Sequence, residues 1–158
     1  MSAEGARSPP RHAREGARGL VIVLVGAVDR RMLPALALVP QLADCDARAV
    51  HVCLDRAEAH QLAAAWMDFD LGWLPLEIEE PTGVTLAASV RHIVEREAIA
   101  RPRVTVLVPE MDLGRWWQPL LHRGTGRHIA WHLHDLRRVT TVVLPVRLED
   151  PDRRQHSR

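Results

Sequence analysis

The chain has 158 residues, the size of one domain able to bury a full core without disulfides or metals. Lysine plus arginine total 21, all of them arginine, against 20 acids, a balance that gives no overall field for nucleic acid. Cys45 and Cys53 lie eight positions apart, a spacing of neither a zinc pair nor a redox pair, and read as small buried residues in a reducing cytoplasm.

Residues 1–18 carry Pro, Gly, Ser, Arg and Glu with almost no large apolar side chain, so a disordered tail is expected there, and again over 148–158. Between them, 19–147 reads as one α/β domain. "GLVIVLV" (19–25) is continuous and β-branched, the pattern of a strand buried on both faces. The apolar run that contains it, "LVIVLVGAV", is far short of the roughly 20 residues that cross a bilayer, which points to a soluble chain. "MLPALALVPQLA" (32–43) has helical spacing, but Pro34 belongs in a first turn and Pro40 must kink or end the helix.

"ARAVHVCL" (47–54) predicts a second strand, and "DRAEAHQLAAAWMDF" (55–69) a helix with Asp55 as N-cap and Glu58 in a capping box. "WLPLEIE" (73–79) is a weaker third strand. "TGVTLAASVRHIVEREA" (82–98) sets Leu86, Val90, Ile93 and Val94 on one stripe with Arg91, His92 and Glu95 opposite, and the apolar face ends near Glu97. "RVTVLVPE" (103–110) is the fourth strand. "GRHIAWHLHDLRR" (126–138) is a helix and "VTTVVLPV" (139–146) the fifth strand.

Strands alternating with helices over short joints imply right-handed crossovers and a five-stranded, doubly wound parallel sheet with helices on both faces. Ligands of such sheets sit beyond the carboxyl ends of the strands, where strand order reverses. The joints after Val25, Leu54 and Val108 are therefore the ones to search, with Gly26 and Val52 as candidate contacts at the first two.

The joint after the fourth strand carries the strongest signal. Gly114 follows the strand, and nine residues separate it from Gly124, which Thr125 follows. Glycine lets backbone amides approach a phosphate, and Thr125 is a natural N-cap for the next helix. The amides of Gly126, Arg127 and His128 would then face an anion at the positive end of the helix, with Arg115, Arg123 and Arg127 adding charge. The same turn is also what any loop-to-helix junction needs. Trp116 and Trp117 can stack on a base, yet adjacent helical residues point about 100° apart, so one of the pair must pack inward. His128 and His132 share a helical face without the HExxH pattern, and no metal is expected.

The segment "VLVPE...WWQPLLHRGTGR" resembles a known family. The spacing is similar to the Gly-x2-Gly-x9-Gly-Ser/Thr motif of the universal stress protein superfamily: Gly114, Gly124 and Thr125 match its last three positions, and Met111 stands at its first glycine. The "PE" strand end, paired tryptophans and "LLH" step, with "ARAVHVCLD" and "EEP" earlier, look closer still to the cytoplasmic C-terminal domain of KimA-type permeases of the amino acid/polyamine/organocation class. The likeness spans about 19–146. It implies sheet order 3-2-1-4-5, a homodimer, an ATP, AMP or cyclic di-AMP ligand, and a permease partner whose potassium uptake the domain regulates from the cytosolic face.

Three functions follow as expectations. One is a non-enzymatic regulatory domain binding an adenine nucleotide or cyclic di-AMP. The second is a nucleotide-free dimeric scaffold docking on a transporter. The third, an ATP-binding stress protein with weak hydrolase activity, lacks a P-loop and a nucleophile elbow, and only Glu110 and Asp112 lie near the phosphate turn. No catalytic residue and no nucleic-acid partner are expected.

Overall fold

Alternation of side chains along a strand sends residues to opposite faces, so a strand apolar at every position can serve two cores at once. The first strand does so in the computed structural model, which describes residues 18–30, 32–42, 45–111 and 125–146. In β1 (Gly19–Leu24), Leu20 and Ile22 enter one core, while Val21, Val23 and the following Val25 enter the other.

The chain continues through α1 (Leu33–Leu36), a 3-10 turn at Val39–Gln41, β2 (Cys45–Val52), α2 (Arg56–Asp68), β3 (Leu76–Glu79), α3 (Leu86–Ala100), β4 (Val104–Met111), α4 (Thr125–Leu133) and β5 (Val139–Val146). All pairings are parallel and the order is β3-β2-β1-β4-β5, the doubly wound sheet expected. Helices α1 and α2 supply Leu36, Leu62 and Trp66 to one face; α3 and α4 supply Val90, Ile93, Val94, Ile129 and Leu133 to the other.

Local chemistry accounts for the boundaries. Pro34 lies in the first turn of α1, and the segment predicted as one helix is split into α1 and the 3-10 turn that contains Pro40. Asp55 caps α2 by accepting from the amides of Ala57 (2.6 Å) and Glu58 (3.2 Å). Beyond α2, Asp70 turns into the left-handed region (φ 54°), and Trp66 donates its indole N–H to the Leu74 carbonyl (3.1 Å), closing the turn into β3. At the start of α3, Thr85 accepts from Ala88 N, and the buried Ser89 hydroxyl accepts from Thr82 N and Gly83 N.

Two sequence expectations shift. Helix α4 stops at Leu133 instead of running to 138: Arg91 of α3 donates to the His132 carbonyl and grips Asp135, and Arg138 adopts φ 67° to enter β5. Glu97, where the apolar stripe of α3 was expected to end, is half-buried because Arg48 rises from β2 to meet it at 2.8 Å. That contact is too bent for a hydrogen bond, since Nη2 has no acceptor of good geometry. Arg48 Nη1 makes a proper one to Glu77 of β3 (3.0 Å).

Candidate functional site

The sheet opens at its carboxyl edge between β1 and β4. Their pairing ends at Val23 with Leu107, whereas β1 stays beside β2 to Leu24 with Val50, and β4 stays beside β5 to Met111 with Val146. Beyond its last strand residue the first chain still leans on β2, because Val25 N donates to Val50 O (3.0 Å). The split falls where the helix after β1 goes to one face and the helix after β4 to the other. That is the switch point at which sheets of this kind receive ligands.

On the β1 and β2 side stand Gly26, exposed just past Val25, and Val52, buried at the end of β2. Between them lies a residue that the sequence reading passed over. His51 is only 5% exposed, and its Nδ1 lies 2.9 Å from the Val25 carbonyl. A carbonyl can only accept, so Nδ1 carries the ring proton and Nε2 presents a lone pair. That Nε2 is buried with no hydrogen-bond partner among the described residues. The signal was present: a lone imidazole interrupts "AVHV", a run otherwise apolar.

On the β4 side, α4 is drawn tightly onto the sheet at its first turn. A Cβ on Gly126 would come 3.1 Å from Val143 Cγ1 and 3.4 Å from Val108 Cγ1, so the absent side chain is what lets the helix start descend between β4 and β5. The same position would be 3.7 Å from the carboxyl carbon of Glu110. A carboxylate therefore shares the positive end of the helix with any incoming anion, a competitor that the sequence reading named only as a hydrolytic candidate. Arg127 is exposed on the same turn.

Thr125, expected as the cap, lies within α4 as described (Thr125–Leu133). Gly114, Arg115, Trp116, Trp117 and Gly124 lie outside the described residues. The structure thus brings Thr125, Gly126 and Arg127 to one rim of the split and Gly26 and Val52 to the other.

Two histidines lie along α4. His128 and His132 have ring centroids 4.5 Å apart, but His132 Nδ1 lies 3.1 Å from the His128 carbonyl, and among the described residues no three His, Cys, Asp or Glu side chains are grouped as a metal would need. Hydrogen bonds from Arg91 hold the Asp135 carboxyl below its ordinary range and raise the guanidinium in return. No described helix is long and apolar enough to cross a membrane, and both cysteines are free thiols, Cys53 buried and Cys45 partly so.

Comparison with known proteins sharpens what this edge belongs to. No curated protein matches the chain. The family model described as the KimA potassium transporter C-terminal domain matches residues 16–146, which takes in all five strands and all four α-helices. On that match, and with the five-stranded order in agreement, the chain belongs to the KimA potassium transporter C-terminal domain family.

Proposed function

We propose that this chain is a non-enzymatic regulatory domain that binds an adenine nucleotide or cyclic di-AMP at the carboxyl edge of its sheet and conveys that state to a potassium permease from the cytosolic side. The observation that carries the reading is the parting of β1 and β4 after Val23 and Leu107, with the first turn of α4 seated at its rim through Gly126. A helix start offers backbone N–H groups and a favourable dipole to a phosphate, and Arg127 adds charge. The spacing of Gly114, Gly124 and Thr125, similar to that of nucleotide-binding universal stress proteins, supports the same site.

A thermal shift of the purified chain with ATP, AMP and cyclic di-AMP tests it. Binding to the folded state alone raises the melting temperature, by several degrees at saturating ligand. No shift with any of the three refutes nucleotide binding and leaves a scaffold docking on the transporter. Nucleotide recovered as ADP or free AMP after incubation would refute the non-enzymatic part.

The domain also pairs with a second copy in this reading. Strand β5 is at the edge of the sheet, β-branched and half-buried along much of its length, and an unpaired edge of that kind invites another strand. Sedimentation at micromolar concentration should return twice the chain mass; a single-chain mass would refute the dimer.

A further inference from the structure

The geometry points to the amino end of the sheet as a surface that lies on an anionic bilayer, with the carboxyl edge turned away from the membrane. This inference goes beyond nucleotide binding and rests on the part of the reading above that sets the domain beside a permease.

Three observations carry it. The first is a row of cations at the strand starts. Arg18 leads into β1, Arg103 into β4, and Arg137 and Arg138 into β5, and all four are exposed. The ladder holds these starts together: Leu20 N donates to the Arg103 carbonyl and Val104 N to the Arg138 carbonyl, each at 2.9 Å. Neighbouring strands are about 4.8 Å apart, so the charges repel. Among the described residues none of the four guanidinium groups has an acidic partner. Asp46 and Asp135, acids of the same end, are paired with Arg101 and Arg91, and Asp68 and Asp70 lead into β3 at the opposite side of the sheet. The second observation is apolar. Helices that join parallel strands run back toward the strand starts, so the last turns of α3 and α4 reach this end. Ile99 in the last turn of α3 is 87% exposed, and Trp131 in the last turn of α4 is 66% exposed. The third is the direction of entry. The chain comes into β1 through Arg18, and in the C-terminal domain of a transporter the membrane part precedes that point. Because every pairing is parallel, all five strand starts lie at the end where the chain arrives.

A bilayer meets all three at once. The arginines belong to the sheet and the two apolar side chains to the helix layer, and a flat surface laid across the end of the fold touches both. Guanidinium groups pair with lipid phosphates, an indole suits the headgroup level, and an isoleucine enters the acyl boundary. A nucleic acid would neutralise the cations and leave Ile99 in water, and the net charge of +1 supplies no long-range attraction for one. The pose leaves the split between β1 and β4 open to the cytosol, where a soluble ligand arrives.

Co-sedimentation of the whole chain with vesicles tests this, using phosphatidylcholine alone and phosphatidylcholine with about 30% phosphatidylglycerol at low salt. The chain should bind the anionic vesicles, leave the neutral ones, and release as salt is raised. Arg103→Gln should weaken binding about fivefold, and Arg103→Gln with Arg138→Gln roughly twentyfold. Ile99→Asp should weaken it as well. Arg56→Gln removes an equal charge from the start of α2, at the opposite end of the sheet, and should change nothing. Arg138 has a left-handed backbone (φ 67°), so if its variant does not fold, Arg137→Gln takes its place in the pair. No binding to anionic vesicles, equal binding to both kinds, or an Arg56→Gln loss as large as that of Arg103→Gln overturns the inference. So does a DNA duplex that binds more tightly than the vesicles in the same buffer, which would assign the arginines to nucleic acid. A failure here leaves nucleotide binding at the carboxyl edge standing, since the thermal shift decides that separately.

Discussion

The two halves of the sheet share an apolar core and differ in the charge added to it. On the β3-β2-β1 side, α3 is tied to the strands by charge: Arg48 spans Glu77 and Glu97, Arg96 binds Glu79 (2.7 Å), and Arg101 pairs with Asp46. On the β4-β5 side, α4 is seated by apolar contact, through Ile129, Leu133 and the bare Cα of Gly126, with one ionic clamp from Arg91 to Asp135 at its far end. Partly buried ion pairs between a helix and a sheet specify register at a cost in desolvation, whereas close apolar seating fixes the helix by shape. The half that is locked by charge positions the scaffold; the half that is seated by shape carries the rim proposed to bind.

Arg48→Ala should break the first half most severely. It leaves Glu97 partly buried with Arg96 at 3.6 Å, and a loss of about 2–4 kcal/mol in chemical denaturation is expected. The double change Arg48→Met with Glu97→Leu should recover most of that loss, because a matched apolar pair needs no desolvation. A double variant as unstable as Arg48→Ala would show that the charges themselves are required.

Gly126→Leu attacks the other half. With 3.1 Å already to Val143 from a single added carbon, a leucine must lift the first turn of α4, costing about 1–3 kcal/mol and abolishing any nucleotide-induced thermal shift. Nucleotide response surviving in a destabilised Gly126→Leu would separate the ligand from this helix start.

Glu110→Gln sharpens the comparison without breaking either half. It removes the carboxylate that competes for the helix start, so affinity for a phosphate-bearing ligand should rise about threefold to tenfold, measured by titration at low salt. Equal affinity would place the anion elsewhere.

The smallest effect concerns the Arg91 clamp and its pH dependence. The carboxyl of Asp135 is held below its unfolded value, chiefly by the hydrogen bond from Arg91. Its contribution is therefore complete above the unfolded carboxyl pKa near 4 and is lost as pH falls through the lower folded value. Comparison of Asp135→Asn with the wild-type chain should show a small stability gap at pH 7 that closes only in strong acid. Asp135 is exposed and Arg91 partly so, which keeps that gap small.

How much of this was legible in the residues depends on the range of the interaction. The five strands, the cap at Asp55, the apolar stripe of α3 and the interruption at Pro40 rest on periodicity and local chemistry, and each was found within a residue or two of its expected place except the third strand, which starts three residues later than expected. The shortening of α4 was not legible, because it depends on Arg91, more than 40 positions away in sequence, reaching the His132 carbonyl. Thr125 was expected one position outside α4 and lies within it.

The sequence by itself determined the class of fold and the alternation that buries β1 on both faces, since both are set by neighbours along the chain. Only the tertiary structure decided that β1 parts from β4 at Val23, that Glu110 stands at the start of α4, and that His51 is buried with one nitrogen committed to Val25 and the other without a donor among the described residues. These depend on contacts between segments far apart in the chain, and no local pattern encodes which side chains the crossovers bring to the same edge.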